Sequence, residues 1–188
     1  MRRATRNEAA FTGPSAPSST GILWRKDSLT PPALTSPVTR SFFMRAARRL
    51  RRRAVLLVGE AQLPAFASVE ADDVYIGDYA PHSMLFARAA ALIHHGGIGT
   101  LAQGLSAGRP QLIVPHYADQ LDNAARAVRI GVARTVAPAR FTAARATRAL
   151  AELLGNDAYR VRAGLARDQV TTEDGAERAA AIIIDSLH

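Results

Sequence analysis

Residues 91–123, ALIHHGGIGTLAQGLSAGRPQLIVPHYADQLDN, decide how the rest of the chain is read. A short apolar run ends in His94 and His95, and Gly96, Gly97, Ile98, Gly99 and Thr100 follow. A helical segment runs from there to Gly108, Arg109 and Pro110 punctuate it, and a second apolar run covers Leu112 to Val114. Pro115 to Asn123 closes the unit with Asp119 and Gln120. Strand, glycine turn, helix and strand make a βαβ unit, which offers ligands the carboxyl ends of its strands. Glycines opening a helix let backbone N–H groups approach an anion, and the helix dipole favours negative charge there. A phosphate-bearing ligand fits that chemistry, because three glycines in four residues exceed what a tight turn requires.

Working outward, 188 residues suit one domain with a sizeable core, and a hydrophobic fraction of 48% with mean hydropathy −0.03 suits a globular protein. No apolar run approaches the ~20 residues of a membrane span. The chain has no cysteine, which excludes disulfides and thiolate metal sites and is compatible with a cytoplasmic location. The net charge of +8 is uneven: residues 1–53 hold 12 Lys/Arg against 2 Asp/Glu, residues 54–188 hold 12 against 14. Basicity therefore belongs to the N-terminal part.

Residues 1–19 are rich in Arg, Ser, Pro and Ala without periodicity and read as a disordered basic tail. Residues 20–38 read as a linker-like segment, a short extended piece (GILWR) followed by a proline-rich turn. The domain proper is expected over 39–188. Ser41 to Arg53 has its apolar residues at helical spacing, and Ala54 to Gly59 is a continuous apolar run suited to a buried parallel strand. Val74 to Ile76 reads as a second strand, and Ser83 as the N-cap of a helix through Ala90. After the central unit come a helix from Asp119 ending at Gly131, a strand over Val132 to Val136, and three helices, the first capped by Thr142. Alternating strands and helices predict a Rossmann-like α/β fold, a parallel sheet flanked by helices on both faces.

The order His-His-Gly-Gly-Ile-Gly-Thr (94–100), Ser106-Ala107-Gly108-Arg109-Pro110, and Asp119-Gln120 with Asn123 resembles the donor-site signature of GT-B glycosyltransferases. The UDP/dTDP-sugar-dependent members are most similar: plant UDP-glycosyltransferases, sterol glucosyltransferases, and bacterial rhamnosyl and macrolide glycosyltransferases. The resemblance implies a single GT-B donor half-domain. His95, Gly96, Gly97, Ile98, Gly99 and Thr100 would bind the donor diphosphate through imidazole, hydroxyl and backbone N–H groups, without a metal. Tyr79, His82 and Gln103 would meet base and ribose, Gln103 standing where many relatives carry Glu. Asp119 and Gln120 would hydrogen-bond sugar hydroxyls. His94 alternates to the other side of its strand and is expected to pack. The family's first strand is expected to be missing, since the chain passes from Leu34 through Thr35-Ser36-Pro37-Val38 into a helix.

The implied reaction is transfer of a hexose from a nucleoside-diphosphate sugar to an acceptor hydroxyl. Neither the family's acceptor domain nor its catalytic histidine has a counterpart, so no catalytic residue is assigned and the chain reads as truncated. A separate acceptor-domain chain is one expected partner, which predicts an exposed apolar patch. A non-catalytic nucleotide-sugar-binding module is an alternative. So is a nucleic-acid-binding protein acting through residues 1–53, although a solvated basic helix face accounts better for Arg48 to Arg53.

Overall fold

The structure, a computed structural model, describes residues 21–25, 37–66 and 72–187. The expected tail (1–19) and proline-rich turn lie outside them. Six parallel strands form one sheet: β1 (Gly21–Arg25), β2 (Ala54–Leu57), β3 (Val74–Gly77), β4 (Ala89–His94), β5 (Gln111–Ile113) and β6 (Ala133–Thr135). Their order is β3-β2-β1-β4-β5-β6. The helices are α1 (Pro37–Arg49), α2 (His82–Phe86), α3 (Ile98–Ser106), α4 (Asp119–Arg129), α5 (Ala143–Gly155), α6 (Asp157–Thr172) and α7 (Gly175–Asp185).

The order corrects one expectation. The first strand is present, and it is central: Ile22 to Arg25 pair with Ala54 to Leu57 on one side, and Gly21 to Trp24 with β4 on the other. Gly21–Arg25, within the segment read as linker-like, is thus a strand of the sheet. Five residues with glycine and arginine at their ends do not read as a central strand. Their pairing depends on partners about 30 and 70 residues away, which local pattern does not register. Among the described residues, β3 and β6 are the outer strands of the sheet.

Strand alternation sorts side chains onto two faces. Leu56, Val58, Ile93, Leu112 and Val114 point to one face, covered by Ala46 and Ala47 of α1 and Ala146, Ala149, Leu150 and Leu153 of α5. Small residues let α1 and α5 pack against each other. On the other face Ile113 meets Leu101, Ala124, Ala127 and Ala163 of α3, α4 and α6, while Leu57 and Leu92 meet Leu85 and Phe86 of α2. Each fully buried Leu or Ile contributes roughly 1.5–3 kcal/mol. Arg48, from the basic run, makes a two-pronged pair with Asp73 at 2.7 and 3.0 Å, tying α1 to the entry of β3.

Helix ends follow the sequence in most places. Thr142, Asn156 and Asp174 accept from the first-turn N–H groups of α5, α6 and α7. Gly108 (φ +64°) and Gly131 (φ +75°) close α3 and α4, each with the paired backbone bonds of a Schellman turn. The helix expected from Ser83 to Ala90 is shorter: α2 has Pro81 at its N-cap, no side-chain cap, and stops at Phe86. Ala89 and Ala90 belong to β4, since ladder pairing with β1 outweighs local helix propensity.

Candidate functional site

The site lies where the strands β3, β4 and β5 end and their following loops turn into α2, α3 and α4. β4 delivers His94 and His95 to the turn before α3, and the N-cap of α3 is Gly97, which has no side chain to cap the helix. The first N–H groups of a helix have no intrahelical partner, so this end offers donors to an anion. Gly96 has φ +95°, and a Cβ there would sit 2.8 Å from Ile113 Cγ2 and 3.2 Å from the Gln120 carbonyl oxygen. Only glycine makes that turn without strain. Gly97 has a different role: the His95 ring lies against its backbone, a Cβ there meeting Nε2 at 2.6 Å. Gly99 faces open space.

His95 is 9% exposed, so the imidazole is held deep in the turn with little of it at the surface. Thr100 is buried as well, and Ile98 is exposed. His116, in the loop after β5, is close enough that the charge of His95 adds to burial in holding the His116 imidazole below its ordinary pKa. The loop ends at Ala118, a non-glycine residue with φ +52°. Strained backbone of this kind persists where the surroundings over-determine it, often near binding sites.

Tyr79 and His82 come together with Gln103, which lies 21 residues beyond His82. His82 Nδ1 is 3.2 Å from Gln103 Oε1, its ring stacks on Phe86 at 4.7 Å, and Tyr79 lies 6.4 Å away. Tyr79 is 67% exposed, leaving an aromatic face open. Gln103 stands five residues into α3 from Ile98, about 7.5 Å along the axis from the uncapped end. The cluster and the glycine turn therefore share one helix.

Asp119 and Gln120 open α4 in different environments. Asp119 is exposed and its Oδ2 accepts from Asn123 Nδ2 at 2.9 Å. Gln120 is 3% exposed, and its Oε1 accepts from the His116 backbone N–H at 2.9 Å. Gln120 thus braces the loop after β5, and Asp119 is the exposed member of the pair.

Three residues without an assigned role tie the site together. Asn123 also donates to the Gly96 carbonyl at 3.0 Å, bridging the glycine turn and α4. Phe86 supports His82. Gln111, a polar residue in a buried strand, accepts at 2.7 Å from His94, the packing histidine. A glutamine opening an otherwise apolar strand was the visible signal. Arg109, by contrast, sits at the far end of α3, where its guanidinium donates to the Ala87 carbonyl, so that part of the signature is scaffold.

Comparison with known proteins shows the family and the fold. The profile of the family described as "Erythromycin biosynthesis protein CIII-like, C-terminal domain" matches residues 41–185. The O-mycaminosyltylonolide 6-deoxyallosyltransferase of Streptomyces fradiae is 40% identical over 141 residues, which are 73% of this chain and 32% of that protein. The structure of the glycotransferase of kitacinnamycin superposes with a TM-score of 0.78 at 23% identity, covering 100% of this chain and 47% of that one. The glycosyltransferase VinC, solved in complex with dTDP, superposes with a TM-score of 0.72 at 26% identity over 84% of this chain and 39% of that one. This chain thus spans about a third of the curated relative and less than half of either solved protein. No helix among the described residues is long and apolar enough to cross a membrane. A profile covering most of the described domain and a sheet in β3-β2-β1-β4-β5-β6 order lead to one assignment: the chain belongs to the erythromycin biosynthesis protein CIII-like C-terminal domain family, the donor-side half of GT-B glycosyltransferases.

Proposed function

We propose that this domain binds a UDP- or dTDP-sugar and, together with an acceptor-binding domain, transfers the hexose to an acceptor hydroxyl. The observation that carries the reading is the sharing of α3 by two clusters: an uncapped N-terminus with His95 against Gly97, and Tyr79, His82 and Gln103 beside its middle. The diphosphate would lie on the N–H groups of residues 97–100 with His95 and Thr100, which stabilise the leaving group's charge as the sugar departs. No metal is needed for that role, because helix dipole and amides supply the positive potential. Base and ribose would reach the cluster at Tyr79, and the sugar would lie towards Asp119. VinC was solved with dTDP, which supports a thymidine diphosphate as one probe.

The acceptor half is proposed to come from a further domain or a separate chain. Ile182, Ile183, Ile184 and Leu187 of the α7 region are exposed, which supports an apolar docking patch of the kind such a partner requires. The cysteine-free sequence supports a cytoplasmic working place.

Calorimetric titration with UDP and dTDP tests the reading. Saturable binding is expected, weakened in His95→Ala by ~1–3 kcal/mol, the size of a lost charge-assisted hydrogen bond. A folded chain that binds neither nucleotide overturns the proposal. Binding without sugar transfer, even with an acceptor domain supplied, favours the non-catalytic module.

A further inference from the structure

We infer that Gln111 is a positioning residue for the glycine turn, acting through the tautomer of His94. The geometry stands by itself, and its consequence for ligand binding rests on the donor-site reading above. The Gly96 backbone N–H donates to His94 Nδ1 at 3.0 Å, so that nitrogen carries a lone pair. A neutral imidazole with an accepting Nδ1 holds its proton on Nε2. Nε2 lies 2.7 Å from Gln111 Oε1, which accepts that proton's hydrogen bond. His94 is 2% exposed and Gln111 fully buried, so water does not substitute for either partner.

The chain Gln111, His94, Gly96 therefore sets the one residue of the turn held at φ +95°. In the opposite tautomer an Nδ1–H would face the Gly96 N–H, two donors against each other, and the turn would lose its anchor. The seat of Gln111 is fixed from α3: a Cβ on Gly104 would lie 2.7 Å from both Cδ and Oε1 of Gln111. Glycine in mid-helix is unfavourable, and here it makes room for the amide. Gln111 Nε2 has no hydrogen-bond partner among the described residues, and a buried donor left unmet is unfavourable. A residue selected for packing would not be glutamine; the carbonyl oxygen accounts for it.

The test is two-bond ¹H–¹⁵N correlation of the His94 ring, with amide exchange at Gly96, on the full chain without ligand. The wild type is expected to show the Nε2–H tautomer and a protected Gly96 amide. Gln111→Met removes the acceptor at similar volume. It should mix the tautomers, speed Gly96 exchange about tenfold or more and weaken dTDP binding about tenfold. Gln111→Glu, which keeps an oxygen acceptor, should restore the tautomer and the protection. An Nδ1–H tautomer in the wild type overturns the inference even if no variant folds. An unchanged tautomer and unchanged Gly96 exchange in Gln111→Met overturn it too. If the tautomer responds as expected but the wild type binds no dTDP, the positioning role stands and the donor-site reading falls.

Discussion

Two alanine substitutions three residues apart separate the glycines that build the turn from those that leave it open. Gly96→Ala forces a side chain into φ +95°, where an L-residue costs ~1–2 kcal/mol. The new Cβ also meets Ile113 Cγ2 at 2.8 Å, far inside the ~3.5–4.0 Å optimum. Ile113 is fully buried and the second neighbour is backbone, so neither yields cheaply, and overpacking of this kind costs ~1–3 kcal/mol. Together Gly96→Ala should destabilise by roughly 2–5 kcal/mol, a large share of the ~5–15 kcal/mol of a typical domain. Gly99→Ala meets nothing within 4 Å at an ordinary φ, so it should stabilise by ~0.4–1 kcal/mol by restricting the unfolded chain. Urea unfolding at constant m-value measures both. A Gly96→Ala loss below ~1 kcal/mol, or a Gly99→Ala loss as large as that of Gly96→Ala, would refute the packing argument.

Other consequences follow from the same geometry. Tyr79→Ala should leave stability within about 0.5 kcal/mol, as the ring is exposed, yet weaken UDP and dTDP binding measured by calorimetry. His116 has a folded pKa below the ordinary 6.5, chiefly from burial, so the unfolded chain binds its proton more readily. Its contribution to stability is present above pH 6.5 and is lost as pH falls through that value towards the folded pKa; His116→Gln should flatten the pH dependence of the unfolding midpoint over that window. Thr142→Ala removes the cap that accepts from the Arg145 N–H, and thermal unfolding should register a loss of ~0.5–2 kcal/mol.

Much of this protein was legible in residues whose meaning is local. The glycines of 96–99, the apolar runs at Ala54 and Leu112, Gly108 and Gly131 as helix stops, and the Thr142 cap each act within a few residues of themselves, so pattern and composition specify them. The α/β class followed from their alternation, and the ordered signature from 94 to 123 pointed to the right family. What the tertiary structure decided depends on distant partners. GILWR became the central strand because β2 and β4 hydrogen-bond to it from either side, and Ala89 and Ala90 joined β4 for the same reason. The contact between His82 and Gln103, 21 residues apart, exists because α2 packs on α3. Asp119 and Gln120 are adjacent in sequence, but the fold leaves Asp119 exposed and buries Gln120 against the loop of His116. Sequence determines which residues can turn, cap and approach an anion. Burial and long-range pairing determine which of them remain exposed once the sheet has formed.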